Sequence, residues 1–385
     1  MFVYFDNSAT TKTFPEVNEK MYHMQEETFG NPSSLHKLGI DSENIIKNSR
    51  KIIAESINAN EDEIIFTSGG TEGNNLCIRG FLKRNKRLGK TIITDSVEHS
   101  SISSQFLYLK EQGYNVKFIN VTKGKGFSYD ELYDAVDEDT ALVSIMYVNN
   151  ETGEIFDIER IREIIKSKNK NTVLHCDCVQ AYMKIPIDVK KLKVDMLTVS
   201  SHKINGPKGV GAVYIKKGIN VSPLLIGGGQ EKGLRNGTEN TVGIYGFSCA
   251  AKKHMEEFDA ISNKLREIKN FLCEGLSKIP GTVINTNIKR SAPHILNVSF
   301  SGIRSEIVLH TLESSKIYVS SGSACSSNDL KKKKILEVMG EEKKIYDSAI
   351  RLSFGYFNTM DEAEYALEEI KREITLLRKR LKINA

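Results

Sequence analysis

Short apolar runs alternate with stretches of helical spacing through the first two-thirds of the chain. Residues 63–67, 91–94, 116–119, 141–146 and the run from Val173 read as strands, each an apolar segment too short for a helix. Between them, 71–82, 100–111 and 158–168 carry a helical pattern. Two more apolar runs, 194–199 and 210–215, bracket Ser200-Ser201-His202-Lys203-Ile204-Asn205-Gly206-Pro207-Lys208-Gly209. This alternation predicts an α/β fold with an open, largely parallel sheet and helices on both faces. Ligands of such sheets bind beyond the carboxyl ends of the strands. Thr71, His99, Asn150, Asp177 and Lys203 all fall at that edge.

From about residue 250 the texture changes. Phe258, Ile261, Leu265, Ile268, Phe271 and Leu272 recur at three- and four-residue steps and predict a long amphipathic helix. An apolar strand at 295–300, a helix from Ser305 and a last helix from Asp361 complete a smaller α+β lobe. The expected division is a large domain over 15–255 and a small one over 256–385, with 1–14 packing on the small domain.

Composition narrows the class. The net charge of +5 is spread over 54 basic and 49 acidic residues, which is no nucleic-acid footprint. Lys331 to Lys334 form the one dense basic run and read as a solvated helix face. No apolar stretch approaches the roughly 20 residues of a membrane span, and the start lacks a signal-peptide pattern, so a cytoplasmic protein is expected. The six cysteines show no repeated spacing. In His175-Cys176-Asp177-Cys178, strand alternation sends the two cysteines to one face and His175 and Asp177 to the other. Four convergent metal ligands are therefore not expected, and the cysteines read as small core residues.

A few positions could carry chemistry. Lys203 ends a core strand before a Gly-Pro turn, where desolvation lowers an amine's pKa as a Schiff-base lysine requires. A lysine snorkelling from a loop is the alternative. Thr67-Ser68-Gly69-Gly70-Thr71-Glu72-Gly73 joins a strand to a helix, either a phosphate cradle or ordinary helix initiation. Asp177 needs a cationic or hydrogen-bonding partner, which a protonated pyridine nitrogen or a structural arginine would equally supply. His99 could stack on a flat ring or satisfy a loop. Cys325 sits in a small, polar, glycine-containing segment, where a thiol is either reactive or incidental.

Taken in order, these motifs resemble a known family. The set comprises Asp6-Asn7-Ser8-Ala9-Thr10-Thr11, Gly30-Asn31-Pro32-Ser33-Ser34, the Thr67–Glu72 turn, Val148-Asn149-Asn150-Glu151-Thr152-Gly153 and the Asp177…Gln180 pair. Ser200-Ser201-His202-Lys203, Arg235-Asn236-Gly237-Thr238, Ser320-Ser321-Gly322-Ser323-Ala324-Cys325 and Ile350-Arg351-Leu352-Ser353 complete it. The chain resembles the pyridoxal-phosphate-dependent cysteine desulfurases of NifS/IscS type, in the class V aminotransferase group, over nearly its whole length. The resemblance implies the fold type I of pyridoxal-phosphate transferases, with a mainly parallel α/β/α large domain and a smaller α+β C-terminal domain.

Position by position, the resemblance implies that Lys203 forms a Schiff base with pyridoxal 5'-phosphate and that Asp177 pairs with the ring nitrogen. His99 would stack on the ring and share in proton transfer. Asn150 and Gln180 would bond near the ring hydroxyl, while Gly70, Thr71, Ser200 and His202 hold the phosphate. Thr238 would reach the phosphate of a neighbouring subunit, implying a homodimer, and Arg351 with Asn150 would bind the substrate carboxylate. The implied reaction converts L-cysteine to L-alanine and leaves sulfur on Cys325 as a persulfide. An iron–sulfur scaffold or a tRNA-thiolation protein would accept it, with Cys325 able to ligate a cluster transiently alongside a scaffold; no resident metal, direct nucleic-acid contact or membrane is implied. Transamination or selenocysteine cleavage on the same scaffold, and a non-catalytic sulfur relay, are the competing readings. Departures from the family pattern are Ser201 for glycine and Cys176 and Cys178 for valine and alanine. Cys178 lies close enough in sequence to the ring pocket to modulate reactivity, or is simple core packing.

Overall fold

Seven apolar segments pair into one sheet: β1 (Ile64–Thr67), β2 (Thr91–Asp95), β3 (Asn115–Ile119), β4 (Thr140–Met146), β5 (Val173–Asp177), β6 (Met196–Ser200) and β7 (Gly211–Ile215). The computed structural model describes residues 1–322 and 333–382. Cys325, Lys331 and Lys332 lie outside the described residues. The strand order is β1-β7-β6-β5-β4-β2-β3. All strands except the edge strand β3 are buried along their whole length. Burial on both faces explains why they read as continuous apolar runs rather than alternating ones.

Neighbouring strands are parallel except at β7, which runs antiparallel to both β1 and β6. The physical reason lies in the connection. β6 and β7 are joined only by the 201–210 segment, without the crossover helix that a parallel return needs. The segment carrying Lys203 therefore turns straight back along the sheet edge instead of leaving it.

Three long helices among the described residues were not evident in the sequence: Pro15–Glu27, Lys37–Glu55 and Thr241–Glu256. In the first, only Val17 and Met24 are buried, too few to register as a stripe. Gly243 and Gly246 lower the intrinsic helical signal of the third, which packs against the other two.

Beyond residue 257 the chain forms a three-stranded antiparallel sheet of Thr282–Ile284, Ile295–Phe300 and Ala349–Ser353. Helices Phe258–Ser277, Ser305–Ser314 and Met360–Leu381 pack with it around Leu265, Leu272, Phe300, Leu312, Ile350 and Ile370. Val3 and Phe5 join this apolar cluster, and Val3–Tyr4 pairs in parallel with Ile317–Tyr318. The N-terminal segment thus starts in the smaller body and then crosses to the larger one. Among the described residues no helix is long and apolar enough to cross a membrane.

At the edge of the large sheet, β1 is buried yet has a neighbour on one side only. Two ionised side chains cover its open side. Arg50 Nη1 donates to the Ile64 carbonyl at 2.8 Å, and Glu231 Oε2 accepts from the Phe66 amide at 2.8 Å. The two side chains pair with each other at 2.6 Å, Glu231 retaining 2 % exposure. Satisfied edge groups of this kind block strand addition. Glu231→Ala is expected to destabilise the protein by about 3–5 kcal/mol, because it strands both the Arg50 charge and the Phe66 amide. Urea unfolding of variant and parent at neutral pH measures the difference.

Candidate active site

Five of the six strands that run toward one edge deliver a polar group there. β1 ends in Thr67 and turns into Gly70–Asn75, a helix continued by a π turn at Leu76–Gly80. A Cβ on Gly70 would lie 2.9 Å from Val179 Cγ2, and one on Gly211 would lie 2.8 Å from Gly69 Cα. Glycines at these points let the turn lie directly against β7 and the segment after β5. β2 leads to His99, which caps helix Ser100–Glu111 by accepting the Ser101 amide on Nδ1 at 3.1 Å. That bond leaves the neutral ring's proton on Nε2. β4 leads to Asn150, β5 ends at Asp177, and β6 ends at Ser200 just before Lys203.

These groups line a single cavity of about 220 Å³ with Ala9, Gly70, Thr71, Asn74, Gln180 and His202. The structure therefore brings together Gly70, Thr71, His99, Asn150, Asp177, Gln180, Ser200, His202 and Lys203. A roomier cleft of about 450 Å³ opens elsewhere, around Tyr147, Glu154 and Arg290. It contains none of the residues singled out from sequence.

Each side chain has a physical hold. Asp177 is 7 % exposed; its Oδ2 accepts from Asn74 Nδ2 at 2.8 Å and its Oδ1 from the Val179 amide at 2.9 Å. Lys203 Nζ donates to the carbonyls of Ser8 and Ala9, the latter at 2.8 Å. Gln180 Nε2 donates to the same Ser8 carbonyl at 3.0 Å. His202 Nδ1 sits 3.1 Å from Thr10 Oγ1. Burial, with the Lys203 and Lys208 charges, lowers its pKa to about 4, so the ring is neutral at physiological pH. Ser200 Oγ and Asn150 Oδ1 are buried in the cavity wall without a protein partner.

Arg351 lies behind this wall on Ala349–Ser353. Its Nη1 donates to the Asn150 carbonyl at 2.8 Å and its Nη2 to Asp6 Oδ1 at 2.9 Å. Ser320 exchanges backbone bonds with Arg351, at 3.1 and 2.7 Å, so the chain leading toward Cys325 starts beside that arginine. Thr238 is exposed and does not line this chain's own cavity. Cys176 and Cys178 point to one face, 3.6 Å apart, in the main apolar cluster. His175 instead bonds Ser144 Oγ and Thr198 Oγ1. Burial holds the Cys178 thiol protonated, which favours packing over reactivity.

With this geometry in place, comparison with known proteins is decisive. Residues 3–365 match the model of the family described as aminotransferase class-V. The chain belongs to that family. Among curated relatives, it is 42% identical to the cysteine desulfurase IscS of Methanosarcina thermophila, over 98% of this chain and 93% of the relative. A solved NifS-like protein superposes with a TM-score of 0.92 at 38% identity, covering 98% of this chain and 100% of the other. SspA, solved in complex with cysteine, gives 0.79 at 29% identity, over 93% of this chain and all of SspA. This class-V aminotransferase thus falls among the NifS/IscS cysteine desulfurases, with the fold expected of that group.

Sequence reasoning missed several groups. Asn74, one helical turn after Gly70, was recoverable from helical spacing. The carbonyls that hold Lys203 were not, because backbone acceptors leave no sequence signal. Asp95 and Glu98 were also overlooked, although acidic residues closing an apolar run are a visible anomaly. Both are buried, at 1 % and 3 % exposure. Asp95 Oδ1 accepts from the Val97 amide at 2.8 Å, while Asp95 Oδ2 and both Glu98 oxygens lack a protein donor. Burial raises the pKa of each; at Glu98 the Asp95 charge and then that of Asp177 raise it further, which favours a protonated Glu98.

Above about pH 4 an unfolded glutamate is ionised while folded Glu98 still holds its proton, so its contribution to stability falls as pH rises. Glu98→Gln keeps a neutral donor at every pH. Its melting temperature relative to the parent should climb as pH rises from about 5 toward neutrality. A constant offset in thermal denaturation across that range would contradict a protonated Glu98.

Proposed function

We propose that this chain is a pyridoxal-phosphate-dependent cysteine desulfurase that converts L-cysteine to L-alanine and passes the sulfur to Cys325. The observation carrying the reading is the convergence of Lys203, Asp177 and His99 on one cavity at the carboxyl edge of the sheet. The donor set suits the cofactor. One buried carboxylate is available for a protonated ring nitrogen, an imidazole for a flat ring, and an amine for an aldehyde. Ser200 Oγ and Asn150 Oδ1 are orphaned polar atoms awaiting partners. Pyridoxal phosphate, when bound, supplies a carbonyl carbon for imine formation and an electron sink that acidifies the substrate's Cα proton.

The residues then divide the work. Asp177, fixed by Asn74 and Val179, would hold the ring nitrogen in its protonated form. His99, immobilised as a helix cap, would lie against the ring. Gly70, Thr71, Ser200 and His202 would hold the phosphate, a neutral His202 donating rather than pairing as an ion. Gln180 and Asn150 would bond near the ring hydroxyl. Lys203, once its amine is free, would move the Cα proton; its tether at the end of β6 keeps that amine within the cavity. Arg351 would bind the α-carboxylate, a task suited to a planar fork of N–H groups. The thiolate of Cys325 would attack the substrate sulfur, forming an S–S bond as the C–S bond breaks.

A homodimer is part of the proposal. Leu35 is 95% exposed and Ile226 92% exposed. Leu35 and Ile40 line a cleft shared with Gly228 and Glu239, next to Thr238. In the proposed dimer a second subunit would cover these exposed apolar side chains, with Thr238 serving that subunit's phosphate site. The proposed setting is the cytoplasm, with an iron–sulfur scaffold or tRNA-thiolation protein as the sulfur acceptor.

Incubation of the purified protein with L-cysteine and a reductant is expected to release sulfide and alanine in equal amounts. Lys203→Ala should lose the visible absorbance of the bound cofactor and slow turnover by about 10²–10⁴-fold. Cys325→Ser should keep the absorbance and stop sulfide release; full release from that variant would exclude the persulfide route.

A further inference from the structure

The hold on Arg351 is incomplete in an informative way. Its side chain is 4% exposed, and its Nε hydrogen is buried with no acceptor. Nε and Nη2 share one edge of the planar guanidinium, an edge able to bind a carboxylate through two parallel bonds. Here one prong of that fork holds a single oxygen of Asp6 at 2.9 Å. The other prong holds nothing. An arginine serving only to pin Asp6 has reason to close both prongs, since a buried donor without an acceptor is costly.

The remaining contacts say which partner is exchangeable. Nη1 is fixed by the Asn150 carbonyl at 2.8 Å, and Asn150 itself lines the cavity. Asp6 is fixed only through its backbone, which bridges to Ser353. Its side chain keeps 22% exposure, so a displaced carboxylate has water to enter.

We propose that Asp6 is a placeholder for the α-carboxylate of the amino-acid substrate: it orients the Arg351 fork between turnovers and releases Nη2 when the substrate takes Nε and Nη2 together. This rests on the reading of Arg351 as the carboxylate clamp. One carboxylate replaces another, so the buried guanidinium is never left without a counter-charge, and the Asn150 carbonyl keeps the plane from rotating. Asp6 is a positioning residue. Its charge secures the geometry of the empty site and opposes an incoming anion, so it holds amino-acid affinity below what the fork alone would give.

The test is titration of the purified holoenzyme with L-alanine, followed by the visible absorbance of the cofactor, with cysteamine as a ligand lacking the carboxylate. Asp6→Asn keeps an oxygen for Nη2 but removes the competing charge. It is expected to tighten L-alanine binding roughly two- to fivefold, the effect of one partly exposed ion pair, and to leave cysteamine unchanged. Asp6→Ser, a second neutral acceptor, should act in the same direction. L-alanine affinity that stays constant or weakens in both variants overturns the placeholder, as does an equal change for L-alanine and cysteamine. The clamp reading fails separately, if Arg351→Ala binds L-alanine as tightly as the parent.

Discussion

The architecture of the site depends on keeping one negative charge, Asp177, at the end of a strand buried on both faces. An unsolvated carboxylate is among the most costly groups a core can hold. Its two oxygens are therefore bonded, one to the Val179 amide and one to Asn74 from the neighbouring helix. The consequences spread outward. Nearby, burial raises the pKa of Asp95 and Glu98, with the Asp177 carboxylate adding to the effect. Below, His175 is buried, and that burial lowers its pKa to about 3, which leaves it a neutral bridge between Ser144 and Thr198. A ring nitrogen carrying a proton would be the one cation the arrangement lacks.

Much of this was legible in the sequence because burial on both faces writes itself as apolar runs. Helices 100–111 and 158–168 and strand 295–300 were read to the residue. The edge residues His99, Asn150, Asp177 and Lys203 followed from the strand ends. What escaped was non-local or carried by the backbone. The antiparallel β7 depends on a short connection, not on composition, and the carbonyls of Ser8 and Ala9 carry no side-chain signature. The two cysteines beside Asp177 were placed by strand alternation alone, and their shared face in the core agrees with it.

Two bodies meet at the site, and a single stretch of chain stitches them. Asp6 reaches Arg351 in the smaller body, while Ser8 and Ala9 hold Lys203 and Gln180 in the larger one. Thr11 accepts the Asn205 amide at 2.7 Å, and its own hydroxyl donates to the His202 carbonyl at 2.9 Å. A shift of one body against the other would therefore be felt at the carboxylate fork and at the lysine together.

The stitching also has a consequence for how the protein is made. Asp6 and Arg351 are 345 residues apart, and Ala9 and Lys203 are 194 apart. Contacts this distant in sequence close late, because the entropy of large loops must be met before they are rewarded. The segment around Asp6 is made well before its partner Arg351, which exists only once the strand Ala349–Ser353 has been synthesised. The seven-stranded sheet is made entirely before Ala349–Ser353, so the fork at Arg351 is assembled after it. Chains cut short before that strand would present Lys203 without Arg351 beside it.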